Sequence, residues 1–182
     1  MLNRLKEIEN SSEDIKELFF LLQKLKTKFD KSFLSELDRS LPFADEIFDR
    51  WERAKFLGFG EGTSVYDSCH IFGDVKVGSN TWVGPFTVLD GSGSLKIGNN
   101  CSISAGVQIY SHDSVSWAIS GGKEKYEYAS THIGNNCYIG PNTIIAKGVI
   151  LQDNTIVGAN SFVKTSFPEG SKIAGSPAIL IQ

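Results

Sequence analysis

Two different spacings of apolar residues divide this chain. In the N-terminal part, apolar residues recur at intervals of three and four from Ile15 to Leu37, which predicts an amphipathic helix and leaves open a break near Asp30. Pro42 ends that helix, and a second, shorter helix is predicted over residues 43–56. The apolar stripe of such helices packs against the rest of the protein or against a sister subunit.

From Val65 onward, the apolar residues recur at every sixth position instead. The spacing shifts by two residues at the segment DGSGS, stops after Ile109 and resumes at Ile133, an interval that is a whole multiple of six and is compatible with an unbroken frame. The positions that follow the spacing are aliphatic: Val65, Ile71, Val77, Val83, Leu89, Ile97, Ile103, Ile109, Ile133, Ile139, Ile145, Leu151, Val157 and Val163. A repeat this short indicates a solenoid.

The other positions of the six-residue unit are restricted too. Glycine often follows the aliphatic residue and asparagine often stands three after it, and both tolerate the left-handed backbone of tight turns. The fourth position after it is small, and it includes Cys69, Cys101 and Cys137, which we interpret as buried structural residues rather than metal ligands or reactive thiols. Each unit is then one side of a three-sided β-helix coil whose inward aliphatics stack on the next coil.

Composition narrows the possible functions. The chain has 182 residues, 41% of them hydrophobic and 21% charged, with a net charge of -3, so nothing favours binding to nucleic acid or to an anionic membrane. The N-terminus lacks the apolar stretch of a signal peptide, and no segment reaches the ~18 apolar residues of a membrane span. We therefore expect a cytoplasmic protein of one domain with a small appendage.

The C-terminal repeats resemble a known family. The stretch IGNNCYIGPNTIIAKGVILQDNTIVGANSFV followed by FPEGSKIAGSPA is similar to the closing part of the hexapeptide-repeat acyltransferases, which include maltose, galactoside and xenobiotic acetyltransferases and bacterial polysaccharide O-acetyltransferases. The resemblance covers roughly residues 63–182. It implies a left-handed parallel β-helix, although crossovers are generally right-handed, a homotrimer with active sites between subunits, and acetyl-CoA as donor.

The expected organisation is a mainly β protein with an N-terminal α-helical region. The helical region takes residues 1–58, for which we identify no family, and the β-helix takes residues 59–182. An excursion loop leaves the β-helix at about residues 110–131, and a C-terminal tail begins at about residue 164.

The excursion loop holds the candidate catalytic base. Acetyl transfer to a hydroxyl needs a base, and histidine, with an unperturbed pKa near ~6.5, is the usual one at neutral pH. His112 stands where the spacing stops, and the resemblance places the family's catalytic histidine at a comparable loop. His70 and His132 each precede an inward aliphatic, so we interpret them as surface turn residues.

Aromatic side chains of the same loop are candidates for acceptor binding. Trp117, Tyr126 and Tyr128 could stack on a sugar or could anchor the loop on the β-helix, and a Gly-Gly pair could act as a hinge. Asp113 could orient His112, but neighbouring residues of an extended segment point in opposite directions, so solvent or a neighbouring subunit is favoured. We include it with the acceptor-binding candidates.

For the donor, the resemblance implies a coenzyme A groove between coils near the C-terminal end. The matching positions are Tyr138, Pro141, Ala159, Lys164 and Thr165, with Lys147, Lys164 and Lys172 available for phosphates. The family often has an arginine soon after a GxPA-like turn, and Ile179 follows that turn here. Lys172 or Lys164 supplies that charge instead, or recognition of the 3'-phosphate is weaker.

These features predict an acetyl-CoA-dependent O-acetyltransferase acting on a sugar hydroxyl of a bacterial capsule or O-antigen unit. The alternatives are N-acetylation of a nucleotide-linked amino sugar and acetylation of a small free sugar or xenobiotic. A zinc enzyme on the same coil would need three converging histidines with two close in sequence, whereas the three histidines here are far apart in the chain, so we expect no metal. A binding or scaffold β-helix is the non-enzymatic alternative.

Overall fold

The computed structural model describes residues 4–181. The chain forms two compact units, Met1–Phe48 and Asp49–Gln182. The domain boundary predicted at residue 58 stays a prediction.

Five helices are found among the described residues: α1 (Arg4–Glu9), α2 (Glu13–Leu37), α3 (Phe43–Ile47), α4 (Arg50–Phe56) and α5 (Val115–Ile119). The long helix α2 continues through Asp30, so the break that the spacing left open there does not occur. No glycine or proline interrupts the helix. The segment after Pro42 forms two helices rather than one. The Asp49 side chain accepts hydrogen bonds from the backbone N–H groups of Trp51 and Glu52, both at 2.9 Å, and so starts α4 as a new helix.

The described part of the second unit contains sixteen strands, most of them two residues long. They are β1 (Ser64–Val65), β2 (His70–Val77), β3 (Trp82–Val83), β4 (Val88–Ile97), β5 (Ser102–Ile103), β6 (Gln108–Ile109), β7 (His112–Asp113), β8 (Glu127–Tyr128), β9 (Thr131–Ile133), β10 (Tyr138–Ile139), β11 (Ile144–Ile145), β12 (Ile150–Leu151), β13 (Ile156–Val157), β14 (Phe162–Val163), β15 (Lys172–Gly175) and β16 (Ala178–Leu180). Short strands separated by turns are what a six-residue repeat requires.

All of these strands except β7, β8 and β16 stack in parallel coils and form the predicted β-helix. The first face is β1-β3-β5-β10-β13-β15, closed by the antiparallel β16. The other two faces share one sheet, because the long strands β2 and β4 each pass from the second face to the third. The second face continues through β6, β11 and β14, and the third through β9 and β12.

The inward aliphatic side chains form the core, as predicted. Of the fourteen positions, all are buried except Ile71, which is half-buried against the core. Ile173 extends the ladder of the first face by one more coil. Each stacked aliphatic residue removes apolar surface from water on every coil, which is the main stabilising contribution of the solenoid.

The turns between faces follow the predicted residue preferences. Asparagines at these turns have a left-handed backbone, with φ between 54° and 61°: Asn80, Asn100, Asn136, Asn142, Asn154 and Asn160. The small residues of the next position point inward and link coils through their side chains; Thr81 donates to the Gly98 carbonyl at 2.9 Å and Cys101 to the Gly134 carbonyl at 3.1 Å. All three cysteines are buried, and none of them forms a disulfide.

Helix α4 covers the first coil of the β-helix. Ala54 on its inner side is buried in the core cluster, and Arg53 donates to the backbone carbonyls of Tyr66 and Cys69. These contacts satisfy carbonyl groups that have no coil above them. Across residues 4–181, no helix combines the length and the apolar character needed to cross a bilayer.

Candidate active site

Two irregular segments of the β-helix meet at one corner. Leu89 pairs with Ile109 of the next coil, so the segments that follow these residues, DGSGS and the excursion loop, leave the second face at the same place. The pairing of β2 with β4 shifts register between Gly73 and Val75, which accommodates the two inserted residues. The insertion and the loop therefore form a single site.

Asp90 occupies the centre of this corner and is buried. One carboxylate oxygen accepts hydrogen bonds from the backbone N–H of Ser92 at 3.0 Å and from its hydroxyl at 2.5 Å; the other accepts from the backbone N–H of Ser111 at 2.9 Å. Burial acts to raise the pKa of the Asp90 carboxyl group, but hydrogen bonds from Ser92, Ser111 and His112 outweigh it and lower the pKa to about 2. Asp90 is therefore ionised at neutral pH.

His112 lies directly on Asp90. Its Nδ1 atom is 2.6 Å from Asp90 Oδ2. Because the carboxylate is ionised and can only accept, Nδ1 carries the hydrogen of this bond, and Nε2 of the neutral ring is left as an acceptor. The side chain of His112 is 30% exposed, compared with 2% for Asp90. A buried carboxylate thus fixes the tautomer of an accessible imidazole.

Close backbone approach explains the glycines of the insertion. A Cβ atom on Gly93 would lie 2.2 Å from the Ser111 carbonyl oxygen, and one on Gly91 would lie 2.4 Å from the Asp74 carbonyl oxygen. The Gly93 backbone N–H also donates to the Ser111 hydroxyl at 2.8 Å. A side chain at either glycine would push the coils apart and separate Asp90 from His112.

The excursion loop forms a hairpin that carries the predicted aromatic residues. Strands β7 and β8 pair antiparallel, with His112 opposite Tyr128. The rings of Tyr128 and Tyr126 lie roughly parallel to the His112 imidazole, with centroids at 5.9 Å and 6.2 Å, and Trp117 packs edge-on against Tyr126 at 5.5 Å. The three aromatic candidates are therefore brought together beside His112, and all of them are exposed.

The interval between Ile109 and Ile133 has a simple explanation in the structure. Ile109 lies on the second face and Ile133 on the third. In a regular coil, the inward residue of the third face comes six residues after that of the second face, as Leu151 comes after Ile145. The rest of the interval equals one complete coil in length, but it forms the hairpin and helix α5 instead. The predicted frame is preserved, and the Gly121 and Gly122 pair, both with positive φ, ends α5.

An open cavity of about 410 Å³ adjoins His112. Its floor is the outer surface of the second face, with Ile144 and Phe162, and its wall is the start of the excursion loop from Tyr110 to Val115. An apolar floor with a few polar groups at one end is typical of a small-molecule site. His112 is among the polar residues that line this cavity.

Asp113 and Lys147 lie at the same cavity but bind each other. Lys147 Nζ is 2.7 Å from Asp113 Oδ2 and 2.5 Å from Glu127 Oε2. Asp113 also accepts the backbone N–H of Val115 at 3.1 Å. Asp90, and not Asp113, is the carboxylate that contacts His112.

The predicted coenzyme A residues occupy three separate places. Tyr138 and Lys172 are exposed on the first face, both paired with Ile156. Pro141 and Ala159 are exposed at the following turn of consecutive coils, where the Asn160 N–H donates to the Pro141 carbonyl. The remaining three, Lys147, Lys164 and Thr165, follow β11 and β14 at the corner of His112.

Sequence reasoning missed Asp90, although a signal was present. A carboxylate directly after an inward aliphatic residue, at the one place where the spacing gains two residues, is unusual for a residue that only makes a turn. The spacing alone does not show that this insertion and the excursion share a corner, because that depends on which coils are neighbours.

Comparisons with known proteins agree with this architecture. The family described as "Bacterial transferase hexapeptide (six repeats)" matches residues 130–165. The bifunctional protein GlmU of Clostridium botulinum is 29% identical over 126 residues, which cover 62% of this chain and 25% of GlmU. The chain therefore spans about a quarter of the length of the curated relatives that it matches.

Solved structures show the same fold. AntD, an N-acyltransferase from Bacillus cereus determined in complex with dTDP and coenzyme A, superposes with a TM-score of 0.61 at 19% identity, covering 72% of this chain and 87% of AntD. A maltose O-acetyltransferase from Clostridium difficile superposes with a TM-score of 0.56 at 22% identity, covering 94% of this chain and 88% of that protein. The second match extends into the N-terminal helices, for which the sequence alone indicated no family.

Proposed function

Because the chain contains the hexapeptide repeat of bacterial transferases and has the fold of the hexapeptide-repeat acetyltransferases, we propose that it is an acetyl-CoA-dependent O-acetyltransferase acting on a sugar hydroxyl. The observation that carries the proposal is the pair formed by half-buried His112 and buried Asp90 beside an open cavity. This arrangement provides a base with a defined tautomer next to an open cavity.

His112 is proposed as the general base. Its Nε2 accepts the proton of the acceptor hydroxyl while the oxygen attacks the thioester carbonyl carbon. The tetrahedral intermediate then collapses, the carbon–sulfur bond breaks, and the imidazolium returns the proton to the leaving thiolate. The donor is already activated, so no covalent enzyme intermediate is needed.

Asp90 is proposed as the residue that positions His112. Its hydrogen bond to Nδ1 keeps Nε2 free of hydrogen, and its negative charge stabilises the imidazolium that forms when Nε2 takes the proton. The charge of Asp90 is buried, and an ion pair with a buried charge is stronger than one at the surface because water screens it less.

The substrate sites are proposed from the surfaces around this pair. Trp117, Tyr126 and Tyr128 provide ring faces for a sugar, such as a unit of a capsule or O-antigen. For the donor, the proposed contacts with coenzyme A are Tyr138 and Lys172 on the first face, Pro141 and Ala159 at the turn that follows it, and Lys164 and Thr165 at the corner after the second face. AntD is solved with coenzyme A, which supports this donor. A homotrimer with sites between subunits remains part of the proposal, as does a cytoplasmic location.

N-acylation of an amino sugar is the second candidate, favoured by the structural likeness to the N-acyltransferase AntD. The two candidates differ in their need for a base. A neutral amine is nucleophilic without proton removal, so its acetylation at high pH survives the loss of His112 better than acetylation of a hydroxyl does.

The test is acetyl transfer from acetyl-CoA to a panel of surface polysaccharides, free sugars and nucleotide-linked amino sugars, measured by release of free thiol. We expect a sugar hydroxyl to be the acceptor, and His112→Ala to lower kcat/KM about 10²-fold or more with an unchanged melting temperature. Full activity of His112→Ala would exclude the base assignment, and failure of the protein to bind acetyl-CoA in calorimetry would exclude a transferase.

A further inference from the structure

Lys147 is held in a position that the proposed mechanism does not use. It follows β11 at the corner of the site, and its side chain is 20% exposed although lysine is ordinarily a surface residue. Its ammonium group contacts two carboxylates, Asp113 at 2.7 Å and Glu127 at 2.5 Å. The sequence suggested this lysine as a ligand for coenzyme A phosphates.

The two carboxylates belong to the two strands of the loop hairpin. Asp113 of β7 and Glu127 of β8 are directly opposite each other, one position beyond the pair of His112 and Tyr128. Lys147 belongs to the β-helix itself. Its ammonium group therefore joins both strands of the hairpin to the coil on which they lie.

Electrostatics keep all three groups charged. The hydrogen bond from Lys147 holds the pKa of Asp113 and that of Glu127 below their ordinary values, and the hydrogen bonds to these carboxylates raise the pKa of Lys147. One positive and two negative charges leave this cluster with a net negative charge. A phosphate would be repelled by the two carboxylates, so the cluster is a poor anion site.

The hairpin in turn determines where the aromatic rings lie. Tyr128 and Tyr126 are on or next to β8, beside the His112 ring, and Trp117 leans on Tyr126. The base of the loop is attached separately, by the Ala129 N–H to the Ser111 carbonyl at 2.9 Å. Lys147 acts further out, at the level of the rings.

We propose that Lys147 is a positioning residue that holds the β7–β8 hairpin on the β-helix, so that Tyr126 and Tyr128 form the acceptor wall beside His112. It would then govern binding of the acceptor and leave binding of the donor unchanged. This inference deepens the proposed function and rests on it for the acceptor, but the attachment of the hairpin can be tested without any substrate.

The first experiment follows the hairpin directly. Trypsin cleaves after Lys123 and Lys125 in the loop, and mass spectrometry follows these two cleavages in the native full-length protein. Lys147→Met keeps the aliphatic stem and removes the charge. We expect both cleavages to accelerate roughly 3- to 30-fold, because loss of two ion pairs near a surface raises the population of the detached hairpin by about this factor. Lys147→Arg should remain close to wild type, and Lys96→Met, which removes an exposed lysine on the third face, is the matched control.

The second experiment separates acceptor from donor. We expect Lys147→Met to raise the acceptor KM by a similar factor while the Kd for acetyl-CoA, measured by calorimetry, changes less than about 2-fold. The double variant Asp113→Asn/Glu127→Gln, which keeps Lys147, should have the same effect, because the contacts are lost from the other side.

Two results would overturn the inference: loop cleavage at the wild-type rate in both Lys147→Met and the double variant, or weaker acetyl-CoA binding in Lys147→Met with an unchanged acceptor KM. If no acceptor is acetylated by the wild type, the proposed function is wrong, and accelerated cleavage would still establish that Lys147 holds the hairpin.

Discussion

The regular coils and the corner that holds His112 differ in how they use the same backbone. In the regular coils, a given position of the six-residue unit carries the same kind of side chain on neighbouring coils; Val65, Val83 and Ile103, for example, stack as inward aliphatic residues on the first face. At the corner, two irregular segments interrupt this repetition, and each contributes one residue of the pair formed by Asp90 and His112. The regular part supplies rigidity, and the proposed chemistry lies where the repeat is broken.

The largest expected effect breaks the regular part. Ile139 is fully buried between Ile103 and Val157. Ile139→Ala should lower the free energy of unfolding by about 2–5 kcal/mol, because it removes buried methyl groups and leaves a cavity in a ladder that cannot collapse. Denaturant unfolding measures the change. The exposed neighbour offers the control: Ile156→Ala should cost less, and equal losses would contradict the ladder as the main stabilising contact.

The next effect concerns the irregular corner. Asp90→Asn should lower kcat/KM for acetyl transfer about 10-fold or more, because a neutral amide does not stabilise an imidazolium and has one acceptor oxygen where Asp90 has two. Steady-state kinetics measure it. Ser92→Ala is the control, since Ser92 donates to the carboxylate oxygen that faces away from His112. A smaller loss in Asp90→Asn than in Ser92→Ala would contradict the positioning role.

The acid stability of the same corner provides a further test. The pKa of Asp90 is depressed from its ordinary 3.8 to about 2, so the stability that its ionised form contributes is complete above about pH 4 and is lost as the pH falls through about 2. Unfolding free energies of wild type and Asp90→Asn should therefore differ above pH 4 and converge towards pH 2. Other carboxylates titrate in both proteins and cancel in the difference. A difference that stays constant across this range would contradict the assignment.

The smallest expected effect restores regularity. Phe86 has φ of 60° and is 65% exposed at a turn where asparagine stands in six other repeats. A bulky residue in the left-handed region is strained, so Phe86→Asn should raise the free energy of unfolding by up to about 1 kcal/mol. Thermal unfolding measures it, and Asn136→Phe at an equivalent turn should have the opposite sign. A destabilised Phe86→Asn protein would show that the Phe86 ring makes a contact worth more than the strain.

Much of the fold could be predicted because it is encoded locally. An aliphatic residue at every sixth position, with asparagine or glycine at the turns, is enough to specify coils without knowing which coil lies next to which. The break that the spacing left open near Asp30 does not occur, because helix α2 has no glycine or proline there. The split at Asp49 was missed although a signal was present: an aspartate followed three residues later by a glutamate, here Asp49 and Glu52, is a sequence signature of a helix start.

The candidate site was only partly predictable. His112 was predicted as the base because it stands where the repeat stops, and its role stays a prediction; the structure does place Tyr126 and Tyr128 of the same loop beside it. Asp90 was missed, and the two carboxylates that bind Lys147 were not foreseen, because each of these contacts joins residues more than one full coil apart along the chain. The remaining site assignments stay predictions until substrates are bound.

The sequence by itself determined the β-helix, its buried ladders and the place where the chain departs from it, because these depend on contacts that repeat at every sixth position. The tertiary structure alone decided that the insertion at DGSGS and the excursion loop share a corner. The contact of Asp90 with His112, and those of Lys147 with Asp113 and Glu127, exist only because the stacked coils bring these distant segments together. A hydrogen bond or close ion pair needs its two atoms within about 3 Å, and the spacing along the chain does not show which residues come that close.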